Sequence, residues 1–208
     1  MVHHRSKFDE EELPPATPQD LWKQWGLQFN KNSPYLNLHN AALIVESDPI
    51  YRGRVYFDDF LQRVMRRNSP AREWGDADDL ELVRHIQSVL ALPKFGRDAV
   101  SQAVIEVSYR HRRNCVREWL DSLEWDQASR IEHFFSDYMG AEENEYCRNA
   151  SRNFWLSIAA RIHRPGCKVD NMIVLEGPQG VGKSTALQII GGDWFAEQHE
   201  SATNPKAF

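Results

Sequence analysis

The sequence predicts a mostly α-helical N-terminal region followed by the first strand and helix of a truncated α/β domain. Three observations support that fold class. Apolar residues recur at helical spacing from about residue 17 to residue 165. Met172-Ile173-Val174-Leu175 is then a fully apolar run of strand length. A glycine-rich turn follows it directly and opens a further helical segment over 185–190.

The elements follow in order. Residues 1–16 are polar and proline-ended, which predicts a disordered tail. They contain no apolar stretch of a secretory signal, and His3 and His4 are too few for a metal-binding tract. Thr17-Pro18 reads as an N-cap with proline at the first helical position. Trp22, Trp25 and Phe29 follow at helical spacing and are expected as core anchors. Asn37 caps a helix through Glu46, stopped by Asp48-Pro49. Residues 54–57 read as extended, and Phe60, Val64 and Met65 predict a helix after them. Asp76 starts an amphipathic helix carrying Leu80, Val83, Ile86, Val89 and Leu90. Val100, Val104 and Val107 mark the next, and Val116, Trp119, Leu120 and Leu123 another. Phe134, Phe135 and Tyr138 belong to one stopped by Gly140, and a long helix covers 146–163 before Arg164-Pro165-Gly166. The expected divisions are therefore a tail (1–16), a helical domain (17–165) and a truncated second domain (166–208).

Composition bounds the rest. With 208 residues, 41% hydrophobic, the chain can bury one sizeable core or one domain and part of another. A formal net charge of −5 excludes a strongly basic surface, so any nucleic-acid contact needs a local patch. Cys115, Cys147 and Cys167 lie far apart without metal-ligand spacing, which fits a reducing cytoplasm. No segment reaches the ~20 apolar residues that span a bilayer.

The chemistry concentrates in Gly177-Pro178-Gln179-Gly180-Val181-Gly182-Lys183-Ser184, followed by Thr185. It matches G-x-x-x-x-G-K-[ST] in full. Glycines permit the positive φ of a tight turn, so that successive N–H groups can face one cavity and bind phosphate oxygens. The helix that follows turns its positive end to the same place. Lys183 would reach the β- and γ-phosphates of ATP, Ser184 would offer its hydroxyl to Mg2+, and Thr185 would help to hold the loop. A P-loop ATPase also needs a second acidic residue for the metal and a group that orients water. After Lys183 no apolar run ends in Asp or Glu; Asp193, Glu197 and Glu200 lie on a polar stretch. The expectation is a P-loop NTPase domain cut short after its first βα unit, its apolar strand left with an unpaired edge.

Several stretches resemble the virulence-associated E family of phage and prophage proteins. They are Val116 through Asp126 with Arg130, Arg161 through Asp170, Val174 through Thr185, and Gly192-Asp193-Trp194-Phe195. The likeness runs from about residue 35 to the end. It implies an AAA+-type, helicase-like replication ATPase that acts on DNA as an oligomeric ring, with Gly177 through Thr185 as its nucleotide loop. Motifs that such proteins carry further on, a second acidic motif and an arginine finger among them, are absent, so hydrolysis by this chain alone is not expected.

The densest basic cluster is Arg110, Arg112 and Arg113 around His111, with Arg117 nearby; Arg63, Arg66 and Arg67 form a smaller one. Either could meet DNA phosphates, although pairing with acidic neighbours is the simpler expectation. An alternative reading makes the helical region a DNA-binding or protein-interaction module and the loop a remnant. A kinase-like phosphotransferase also fits the loop, but not the long helical region before it. Glu124 and Asp126 flank Trp125, which is expected to staple a helix end to the core.

Overall fold

The computed structural model describes residues 17–197. The expected tail, with His3 and His4, and Glu200 lie outside the described residues. Contacts divide the chain after Asp121 into two compact units.

The first unit opens with α1 (Pro18–Gln24), capped by Thr17 and Asp20, whose side chain and backbone groups bond reciprocally. The helix ends before Gly26, which takes φ 71°. Phe29 is therefore not on the helix; it starts the two-residue strand β1 (Phe29–Asn30), paired antiparallel with β2 (Ser33–Pro34). Trp22 is nonetheless a core anchor: it is buried, and its Nε1–H donates to the Leu90 carbonyl at 2.9 Å. Helix α2 (Leu38–Ser47) begins at Asn37, whose side chain accepts from the Asn40 N–H. Fully buried Asn40 ties this helix to the hairpin. It accepts from Gln28 N–H and donates to the carbonyls of Gln28 and Tyr35, each at 2.8 Å.

Strands β3 (Val55–Asp58), β4 (Arg63–Arg66) and β5 (Arg72–Glu73) form an antiparallel meander. The helix expected from Phe60, Val64 and Met65 does not form. The Asp58 carboxylate accepts from the N–H groups of Phe60 and Leu61 at 2.8 and 3.0 Å, and this turn reverses the chain. Val64 and Met65 then sit on a strand, paired with Phe57 and Tyr56.

Helices α3 (Asp76–Ser88) and α4 (Arg97–Arg110) follow, then β6 (Arg112–Arg113) and α5 (Cys115–Asp121). β6 joins β3 in parallel, giving the order β5-β4-β3-β6. Ile44, Leu82, Ile86, Phe95, Val100 and Val104 are among the buried centre of the unit. Val100, Val104 and Val107 are buried as their spacing predicts, and so are Ile86 and Leu90, but Leu80 and Val89 face solvent and Leu82 takes the buried place on α3 instead. The region is α/β rather than mostly helical, because short strands fill the connections that periodicity leaves blank.

The second unit contains α6 (Phe134–Met139), α7 (Glu145–His163), α8 (Lys183–Gly191) and a 3-10 turn at Gly192–Trp194. Gly140, at φ 69°, ends α6 in the left-handed conformation. The side chain of Asn144 caps α7 by accepting from Cys147 N–H at 2.9 Å. Phe134 packs against Phe135, Phe154 and Trp155, with centroids 5.5, 6.3 and 5.1 Å away. Trp125 does not staple a helix to this core. It is 75% exposed, and its Nε1–H bonds locally to the Ala128 carbonyl.

Residues 171–178 have no regular secondary structure, so the expected strand at 172–175 is not formed. Its side chains still alternate: Ile173 and Leu175 are half-buried, whereas Met172 and Val174 are exposed. A strand needs a hydrogen-bonded neighbour, and among the described residues no segment pairs with this one. The chain carries the period of a strand without its ladder.

Candidate functional site

The loop between Glu176 and α8 is built by its glycines. Gly177, Gly180 and Gly182 take φ of 151°, 84° and 89°, a region that favours glycine strongly. Gly182 is also the N-cap of α8, and its carbonyl accepts from Ala186 N–H at 2.9 Å. The chain turns here without a side-chain cap, leaving the first N–H groups of α8 without a capping side chain. Lys183 is the first residue of the helix. Its Nζ reaches back over the loop and donates to the carbonyls of Gly177 and Pro178 at 2.8 and 2.9 Å. A side chain at position 177 would meet this ammonium at 4.0 Å and Val181 at 3.8 Å.

The motif residues thus lie together at one helix end: Gly177, Pro178, Gln179, Gly180 and Val181 form the turn, and Ser184 and Thr185 are exposed on the first turn of α8. The partial positive charge of the helix end and the Lys183 ammonium share the loop, the electrostatic arrangement that an anion requires. Asp193 falls in the 3-10 turn after α8. No group of three or more His, Cys, Asp or Glu side chains suited to a metal ion occurs among the described residues.

Two clefts flank the segment that leads into the loop. One, of about 330 Å³, is mostly apolar; Phe134, Phe154, Ile158, Ile173, Leu187 and Ile190 line it, with Arg161 and Asn171 among its polar residues. The other, of about 700 Å³, runs from Val181, Gly182 and Lys183 to Tyr138, Tyr146 and Ala141. The sequence places the two tyrosines on helices and no closer to the loop than that; the α6–α7 corner brings them to it.

The basic cluster is paired throughout. Arg110 bonds to Glu46 and Glu106, Arg112 to Asp59, Arg113 to Glu118, and Arg117 lies 3.5 Å from Asp121. In the smaller cluster Arg66 is buried and ion-paired, Arg63 bonds to Glu73, and Arg67 lies over the Tyr56 ring. Asp126 is held by Arg130 through two bonds of 2.8 and 2.6 Å. That guanidinium, with the Ala128 N–H, lowers its carboxyl to about 2. Cys115, Cys147 and Cys167 are free thiols, and no helix among the described residues is long and apolar enough to cross a membrane.

No curated protein matches the chain. Residues 120–208, the span that contains the loop and both clefts, match the family model of the virulence-associated protein E-like domain.

Proposed function

We propose that residues 177–185 bind the phosphates of ATP with Mg2+, and that the chain is the nucleotide-binding part of a helicase-like replication ATPase of the phage and prophage type. The observation that carries this reading is the Lys183 ammonium folded over a turn of three positive-φ glycines at the start of α8. Triphosphate oxygens take the bonds now made by the carbonyls of Gly177 and Pro178, and backbone N–H groups at the start of α8 supply the remaining donors. Ser184, exposed on the same turn, offers its hydroxyl to the Mg2+ that accompanies the phosphates. The match of residues 120–208 to the virulence-associated protein E-like domain supports the family context. The proposal covers binding; hydrolysis further needs an acidic residue for the metal and a group that orients water.

Filter binding of radiolabelled ATP with Mg2+ tests it, with Lys183→Ala as the comparison. The wild-type chain should retain nucleotide, and the variant should lose affinity by about ten-fold or more. Equal retention by the two proteins would mean that the Lys183 ammonium does not hold the triphosphate.

A further inference from the structure

We infer that the cleft between the loop and the α6–α7 corner is a base subsite, in which Tyr146 stacks on the purine of a nucleoside triphosphate. The inference rests on the phosphate-binding reading of the loop and adds the part of the ligand that the loop cannot recognise. A phosphate loop is blind to the base, because its contacts end at the triphosphate. What lies beside it therefore decides which nucleotide is held.

Three features point to a flat ring as part of the ligand. First, the cleft is continuous with the loop: Gly182 and Lys183 form one end, and Tyr138 and Tyr146 line it as well. Its volume of about 700 Å³ suits a nucleotide-sized molecule. Second, the two tyrosines are exposed, unlike the aromatic cluster behind them. Tyr146 is 80% exposed and Tyr138 is 61% exposed, whereas Phe135 is buried. Third, the corner that presents them is fixed. Gly140 turns the chain at φ 69°, Asn144 caps α7, and Glu143 is held by His133 and Arg148 at 3.2 and 2.8 Å. Tyr138 stacks on Phe134 with centroids 5.6 Å apart and planes inclined by 29°, so its ring is braced while most of it stays in contact with solvent. A tyrosine has only two side-chain torsions to fix, so stacking a second ring on it costs little conformational entropy.

Stacking discriminates by ring area more than by hydrogen-bonding pattern. The subsite should therefore prefer ATP and GTP over CTP, and should distinguish the two purines weakly. The third aromatic ring that lines the cleft, Phe135, is buried, which leaves Tyr146 and Tyr138 as the exposed stacking candidates among the described residues of the cleft.

Calorimetric titration of the full chain with ATP, CTP and inorganic tripolyphosphate, each with Mg2+, tests the inference. Tyr146→Ala should weaken ATP by about ten-fold and leave tripolyphosphate unchanged, while Tyr146→Phe keeps the wild-type affinity for both. The ring is exposed, so neither substitution removes core packing. Loss of ATP and tripolyphosphate in equal measure, or no loss of either, overturns the subsite and leaves phosphate binding standing. Equal affinity of the wild type for ATP and CTP overturns it also. Failure of the wild type to bind tripolyphosphate or ATP at all overturns the phosphate-loop reading itself, and the subsite with it.

Discussion

The Arg66 guanidinium meets the Asp78 carboxylate at 2.5 Å inside the first unit, with both side chains almost completely removed from solvent. The same guanidinium donates to Glu81, while Arg72 approaches Asp78 from outside. Arg66 also lies over the rings of Tyr51 and Trp74, at 5.8 and 5.7 Å. Strand β4 is thereby tied to helix α3 by charge as well as by packing.

Removing the cation should be costly, because it leaves a buried carboxylate short of a partner. Arg66→Met is expected to destabilise the first unit by about 3 kcal/mol. Urea unfolding followed by hydrogen exchange at the α3 amides measures it. A loss below about 1 kcal/mol would mean that Arg72 and the Gly75 N–H compensate Asp78 unaided.

The same pair predicts an acid limit. Burial alone would raise the Asp78 carboxyl, but hydrogen bonds from Arg72, the Gly75 N–H and Arg66 outweigh it and bring the value to about 2. The folded value lies below the unfolded reference of 3.8, so the stabilisation is complete above about pH 4 and is lost as pH falls toward 2. The expected loss is roughly 2 kcal/mol across that window. Asp78→Asn should flatten this part of the stability curve; an unchanged slope in the variant would assign the acid sensitivity to other carboxylates.

A third prediction concerns the far end of α8. A Cβ at Gly191 would lie 2.8 Å from the Cβ of Phe195, an atom fixed to its own backbone. Gly191→Ala should therefore displace the turn at 192–194 and cost roughly 1–3 kcal/mol by overpacking. Phe195→Gly in the same chain removes the clashing atom. The double variant should then be more stable than the two single losses add to, as a thermal-unfolding cycle would show. Additive losses would place the strain elsewhere.

The helices of the first unit are legible in the sequence because each buries one stripe: Val100, Val104 and Val107 read as α4 and are buried on α4. Asn37, Gly140 and Asp48 are legible as helix ends, since caps are local chemistry. The sheet is not. Strands of two to four residues hold too few positions for a period, and Val64 and Met65 satisfy helical spacing equally well. In the candidate site, the loop residues are readable from their spacing alone. Tyr138 and Tyr146 are not, because their proximity to Lys183 depends on how the α6–α7 corner packs and on no local motif. The apolar run at 172–175 shows the opposite failure: it alternates as a strand does, but pairing is not a property of one segment.

The parallel pairing of Phe57 with Arg112 joins an early hairpin to a strand that comes only after α3 and α4. Closing so long a loop has an entropic cost that two residues of ladder do little to offset. The β3–β4 hairpin should accordingly assemble first, the helices should collapse onto it next, and β6 should arrive last. Arg112 and Arg113, whose ion pairs to Asp59 and Glu118 flank that junction, then act as the latch on a finished unit rather than as part of its folding nucleus.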